Sequence, residues 1–171
     1  MTYSTNQQSK AMDTPIDQIS FRPISQKDQH FLCELYGTTR ADEMAMVPWS
    51  EEQKQEFIDM QFNAQHTFYQ EQFKDANYNI VVLNNEAIGR LYTDIRDDEI
   101  RIIDIALLPK FRGRGLGFEL LNGVIEEAKQ RKLPITIHVE KNNPAMTLYQ
   151  RLGFVTIEDQ GVYDLMRWQI A

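Results

Sequence analysis

The chain has 171 residues and a formal net charge of −7, with 42% hydrophobic and 25% charged residues. These figures suit a single globular domain. They exclude the basic footprint that phosphate-backbone recognition requires, and no apolar run approaches the ~20 residues of a membrane helix, so neither nucleic acid nor membrane is expected as a partner.

The segment Met1–Asp17 is rich in Thr, Ser, Asn and Gln and lacks the basic and apolar regions of a signal peptide. It reads as a disordered tail on a cytoplasmic protein, with residues 18–171 forming one domain. The single cysteine, Cys33, leaves no partner for an intrachain disulfide, and its apolar neighbours suggest a small buried hydrophobe. His30, His66 and His138 are dispersed, so no metal is expected.

Ile19–Ile24 reads as a short strand, and Ser25 caps a predicted helix from Gln26 to Arg40. Ala41–Trp49 has no period and reads as a loop. Ser50 followed by Gln53 is a capping box, opening a helix that carries Phe57, Ile58, Phe62, Phe68 and Tyr69. Strand signals take over at Tyr78–Leu83, Ala87–Asp94 and Ile100–Leu107, with polar turns between them. Leu120, Leu121, Val124, Ile125 and Ala128 then make one stripe of an amphipathic helix. Pro134–Val139 is another strand. Pro144 opens a helix with a stripe of Ala145, Leu148, Tyr149 and Leu152, capped by Gly153. Phe154–Glu158 and Val162–Trp168 close the chain as a hairpin. The order describes a mixed α/β sheet with one βαβ unit spanning Ile100 to Val139.

The link inside that unit concentrates the chemistry. Pro109-Lys110-Phe111-Arg112-Gly113-Arg114-Gly115-Leu116-Gly117 joins a strand to a helix. Glycines let a ligand approach the backbone, and a helix start presents unpaired N–H groups with the positive end of its dipole behind them. This is a pyrophosphate site in kind. Lys110, Arg112 and Arg114 add local positive charge to an acidic chain. A P-loop would need Gly-Lys-Ser/Thr, and a dinucleotide loop would need a glycine where Phe118 stands.

Arg112-Gly113-Arg114-Gly115-Leu116-Gly117 resembles the acyl-CoA signature of the GNAT acetyltransferases, Gln/Arg-x-x-Gly-x-Gly/Ala. Ile105-Ala106-Leu107-Leu108-Pro109 resembles that family's fourth strand. Asn143-Pro144-Ala145 followed by Leu148-Tyr149-Gln150-Arg151-Leu152-Gly153-Phe154 resembles its second cofactor motif. The resemblance implies the GNAT fold of the α/β (α+β) class: a mixed, mostly antiparallel sheet with a V-shaped splay between parallel strands 4 and 5, flanked by about four helices. It implies acetyl-CoA as cosubstrate and an N-acetyltransferase that moves the acetyl group to a primary amine of a small molecule or peptide by direct attack in a ternary complex.

Carried over residue by residue, the resemblance places the pantetheine arm along Ile105, Ala106 and Leu107 and the pyrophosphate on Arg112, Gly113, Arg114, Gly115, Leu116 and Gly117. Asn143 is the implied side-chain contact, with Asn142 as its rival. Tyr149 matches the tyrosine that protonates the leaving thiolate and also touches the cofactor; by itself it reads as an amphipathic core tyrosine. Asp104, the lone acid in an apolar strand, is the candidate base and equally a partner for Arg90 or Arg101. Glu99 reads as solvated and His138 as a satisfied core histidine. The family's strand glutamate falls near Arg101, so that role does not transfer. Met44, Met46, Trp49, Phe68, Tyr69, Tyr92 and Tyr163 are candidates to line the acceptor pocket, and Asp42 and Glu43 to attract a cationic amine. An exposed edge strand at the final hairpin leaves a homodimer open.

Overall fold

The structure, a computed structural model, describes residues 19–170, and the expected tail at 1–17 lies outside them. Seven strands form one sheet: β1 (Ile19–Pro23), β2 (Asn77–Leu83), β3 (Glu86–Ile95), β4 (Ile100–Leu107), β5 (Ile135–Glu140), β6 (Val155–Gln160) and β7 (Tyr163–Trp168), in the order β1-β2-β3-β4-β5-β7-β6. All neighbours are antiparallel except β4 and β5. That exception follows from α4 (Leu116–Arg131), the crossover helix that returns the chain to the same edge.

The parallel pairing is short. It covers only Ile100, Ile102 and the residue between them, opposite Ile135–Ile137, after which the strands part. A bulge in the β3–β4 ladder helps to bend β4 away: Tyr92 pairs with Asp104 and Thr93 with Ile102, leaving Ile103 as the extra residue. A V-shaped opening between the C-terminal halves of β4 and β5 is the result.

Each face of the sheet carries its own core. On one, Leu120, Leu121, Val124, Ile125 and Ala128 of α4 pack with Ile100, Ile102, Ile135 and Ile137. The short helix α5 (Met146–Arg151) joins this core through Tyr149 and ends in a Schellman motif. Phe154 N–H reaches Tyr149 O, Gly153 N–H reaches Gln150 O, and Gly153 takes φ 102°. On the other face, α1 (Gln29–Thr39) and α3 (Glu51–Gln72) supply Leu32, Tyr36, Ile58 and Phe62 against Ile80 and Tyr92.

Two expectations along this face need correcting. The helix read from Gln26 is a 3-10 turn at Gln26–Asp28 followed by α1. Asp28, buried, accepts the Ser25 N–H at 2.8 Å and a bidentate Arg22 at 2.9 Å, which tightens the first turn. The segment read as a loop contains a further helix, α2 (Ala41–Ala45), anchored by Arg40, whose carbonyl accepts Met44 N–H and whose guanidinium holds Glu43 at 3.0 Å. A single turn is too short for apolar periodicity to reveal. Among the described residues the α-helices therefore number five. Cys33 is only partly buried; it packs against the α1–α3 core and donates to Asp59, and burial pushes its thiol up to about 11, helped by that carboxylate.

Candidate active site

The glycine-rich link sits at the mouth of the opening. Pro109–Phe111 forms a 3-10 turn, then Gly113 and Gly115 take φ values of 69° and 81°, the left-handed region that costs other residues strain. Gly115 is the N-cap of α4. The first backbone bond into the helix runs from Glu119 N–H to Gly115 O, so among the described residues the amides from Gly113 to Phe118 have no acceptor. A side chain added at Gly113 or Gly115 would point into open space. A row of unpaired amides on a positive dipole end, with no Cβ in front of it, fits a diphosphate.

Arg112 is held in place rather than free. Its Nε donates to Leu107 O at 2.9 Å and its Nη2 to Thr38 Oγ1 at 3.2 Å, which ties the loop to the end of β4 and to α1. Arg114 and Lys110 lie near the Phe111 ring. Register fixes which β4 backbone groups face the opening. Leu108 N–H is bonded to Ile88 O on β3, and Ala106 pairs with Arg90. By alternation, Ile105 and Leu107 present their amides to the other side, beyond the point where β5 has turned away.

Tyr149 is 3% exposed, and burial, with the nearby charge of Asp104 as a second cause, raises its phenol well above the ordinary range. It therefore stays protonated at neutral pH. Its hydroxyl has no partner among the described residues and, unlike that of Tyr92, is not sealed from solvent. Asp104 lies beneath the opening, on the α1–α3 side. Its Oδ2 accepts Arg90 Nη2 at 2.6 Å and the Tyr69 hydroxyl at 3.1 Å, while Oδ1 takes no donor among the described residues. Arg90 is 2% exposed and is also held by Gln65 at 2.9 Å. Arg101 instead meets Thr136 at 2.7 Å, His138 at 3.1 Å and Glu99. Asn143 spends its Oδ1 on Ala145 N–H at 2.8 Å, which starts α5 and leaves its Nδ2 available.

A cleft of about 510 Å³ opens beside this centre, between the α1–α3 layer and the ends of β5 and β7. Tyr36, Arg40, Glu43, Gln61, Glu140, Asn142 and Tyr163 are among its walls. Arg40 crosses it, bonded to both Glu43 and Glu140 at 3.0 and 3.1 Å. Of the residues expected around the acceptor, Tyr163 lines this cleft; Tyr69 lies behind Asp104, and Tyr92 is sealed in the core.

Residues 32–154 match the family model described as the acetyltransferase (GNAT) family. The chain belongs to that family. Among curated relatives, this GNAT chain is 30% identical over 79 residues to the [ribosomal protein bS18]-alanine N-acetyltransferase of Haemophilus influenzae, covering 46% of this chain and 54% of that protein. It is 34% identical over 93 residues to the spore coat polysaccharide biosynthesis protein SpsD of Bacillus subtilis, covering 53% and 32%. The chain thus spans about half or less of these two curated relatives. Among solved structures, the PaiA N-acetyltransferase of Thermoplasma acidophilum in complex with coenzyme A superposes with a TM-score of 0.67 at 18% identity, over 89% of this chain and 99% of that one. This last likeness supports the GNAT fold.

Sequence reasoning missed the partners that organise the site. Thr38 carries no signal, because only the fold brings α1 to the loop. Tyr69 and Gln65 occupy the same helix face as Phe62, so their spacing announces core packing. The lone acid in an apolar strand, Asp104, was the legible clue, with Arg90 or Arg101 as its partner; the structure selects Arg90.

Proposed function

We propose that this GNAT chain is an acetyl-CoA-dependent N-acetyltransferase that brings the thioester and a primary amine together in one complex. The observation that carries the reading is the run of unpaired amides from Gly113 to Phe118 at the mouth of the β4–β5 opening. Those amides suit the diphosphate of coenzyme A, and the Ile105 and Leu107 backbone suits an extended pantetheine arm. When bound, acetyl-CoA supplies an acyl group activated as a thioester. Leu107 N–H is the donor best placed to stabilise charge on a carbonyl oxygen at the opening.

Tyr149 keeps its phenol proton at neutral pH and can donate it in a hydrogen bond to a departing thiolate, although burial, by raising its pKa, makes it a weaker acid than an ordinary tyrosine. Asp104, whose Oδ1 takes no donor among the described residues, takes a proton from the incoming ammonium, directly or through water. Asn143 Nδ2 offers a further hydrogen bond to the cofactor. The −7 net charge favours a cationic amine at long range, while within the cleft Glu43 and Glu140 are paired with Arg40.

Turnover with acetyl-CoA, read as amine-dependent release of free thiol, tests this. Tyr149→Phe is expected to lower kcat by roughly 10²–10⁴-fold with little change in coenzyme A affinity. An unchanged kcat would remove Tyr149 from the acid role. The grip of Arg90 and Tyr69 on Asp104 favours a second reading, a chain that binds the cosubstrate without transferring its acyl group. Thiol release that stays at the amine-free rate across a panel of amines would select it.

A further inference from the structure

The core accounts for only one side of α3, where Ile58, Phe62 and Tyr69 pack with α1 and the sheet. On the opposite side Phe57, Met60, Ala64 and Phe68 follow at i, i+3, i+7 and i+11, a second apolar stripe on the same helix. Among the described residues no element covers it. Met60 is 61% and Phe68 54% exposed. Trp49, 41% exposed, extends the stripe by packing edge-on against Phe57 at 5.3 Å. Trp49 and Phe68 were expected around the acceptor, but neither is a wall of the cleft. At roughly 200 Å² for a whole large side chain, the stripe leaves about 350 Å² of apolar surface in water. A contiguous patch of that size marks a contact surface.

We infer that this stripe is the interface of a homodimer in which α3 packs antiparallel on α3 of a second copy. The stripe complements its own reverse. With the two-fold axis between Phe62 and Asn63, Phe57 lies level with the second copy's Phe68, and Met60 lies beside its Ala64, a long side chain against a short one. The same register sets Lys54 level with the second copy's Glu71, once on each side of the axis. Between Phe57 and Phe68 the stripe is flanked by Gln61, Asn63 and Thr67, so no charge is desolvated at the centre. A parallel pair would instead set Glu56 against Glu56 and Glu71 against Glu71. Area agrees: two copies would cover about 700 Å² of apolar surface, and with the usual polar share that makes about 1,200 Å² in all, the lower end for a specific pair. The free edge of β6 is the poorer surface, because pairing there brings Glu158 and Asp159 next to those of the second copy. Glu52, Glu56 and Glu71 beside the stripe decide against an anionic lipid surface.

Sedimentation velocity of the full chain from about 1 to about 200 µM tests this. The sedimentation coefficient is expected to climb from the monomer to the dimer value with a Kd on the order of 10 µM. Met60→Ser and Phe68→Ser, both at exposed positions, are each expected to raise that Kd about tenfold or more, with a melting temperature at low concentration within a few degrees of the parent chain. Glu71→Lys is expected to weaken the pair about fivefold, and Lys54→Glu added to it to restore the parent Kd; the net-charge effect of the first substitution runs the other way, since it reduces repulsion between two acidic copies. A monomer at every concentration would overturn the inference and leave the stripe to a different partner. A dimer indifferent to both serine variants, or one dissociated by Val155→Ser on β6, would overturn it by placing the contact elsewhere. A Glu71→Lys defect that Lys54→Glu does not repair would refute the antiparallel register.

Discussion

Among the described residues Asp104 holds two donors on one oxygen and none on the other, and that asymmetry gives Tyr69 a role. Removing Arg90 or Asp104 would strand a buried charge, at about 3–5 kcal/mol, and confound activity with folding. Tyr69→Phe is cleaner: the ring keeps its edge contacts with Tyr92 and Phe73, and only the hydroxyl is lost. The expected outcome is a fall in kcat of about 5–50-fold, an acetyl-CoA KM within about twofold of the parent chain, and a melting temperature within a few degrees. The same substitution made on top of Asp104→Asn should cost nothing further, since its effect runs through that carboxylate. Additive losses in the double variant would assign Tyr69 a separate function.

At the scale of the element, two local devices set the site's framework. Gly89 on β3 faces Leu107, and an added Cβ there would strike the Ala106 carbonyl and come within 2.8 Å of Leu107 Cδ2. Gly89→Ala is therefore expected to lower stability by about 2 kcal/mol or more, and, by displacing the end of β4, to weaken coenzyme A binding more than an equally destabilising change in the β1–β2 ladder. The second device is Asp28, whose carboxyl is held below its ordinary range, chiefly by the Arg22 hydrogen bonds and against the effect of burial. A depressed folded-state pKa contributes stability that is complete above the unfolded value, about 4, and is lost as pH falls through the folded one. Asp28→Asn should therefore be less stable by about 1–3 kcal/mol near pH 7 in urea unfolding, with the gap closing below pH 4. A gap that stays constant to acid pH would mean that the charge contributes nothing.

Across the whole molecule, the features carried by local spacing were legible and those created by folding were not. The near-continuous apolar run of Ile100–Leu107, the stripe of α4 and the glycines at 113 and 115 each announce their element within one stretch of chain, and the structure places them as a strand, a crossover helix and left-handed turns. α2 escaped because five residues carry no period, and the division between the 3-10 turn and α1 depends on the reach of Arg22 to Asp28. The residues brought together at the site come from α1, α3, β3, β4 and α5, so Thr38, Tyr69 and Arg90 acquire their contacts only when the sheet has formed. Asn143 shows the mixed case: its place before α5 was readable, but the use of its Oδ1 in starting that helix was not.

The claim on which the rest depends is that the amides from Gly113 to Phe118 hold the diphosphate of coenzyme A. Isothermal titration of the full chain with coenzyme A, set beside ATP and beside Gly115→Val, tests it most directly. The account predicts a Kd of about 10 µM or tighter for coenzyme A, binding at least about tenfold weaker for ATP, and a loss of about tenfold or more in the variant, where a β-branched side chain must enter the left-handed region in front of the amides. No heat with coenzyme A at millimolar concentration, from a chain that melts cooperatively, would contradict it.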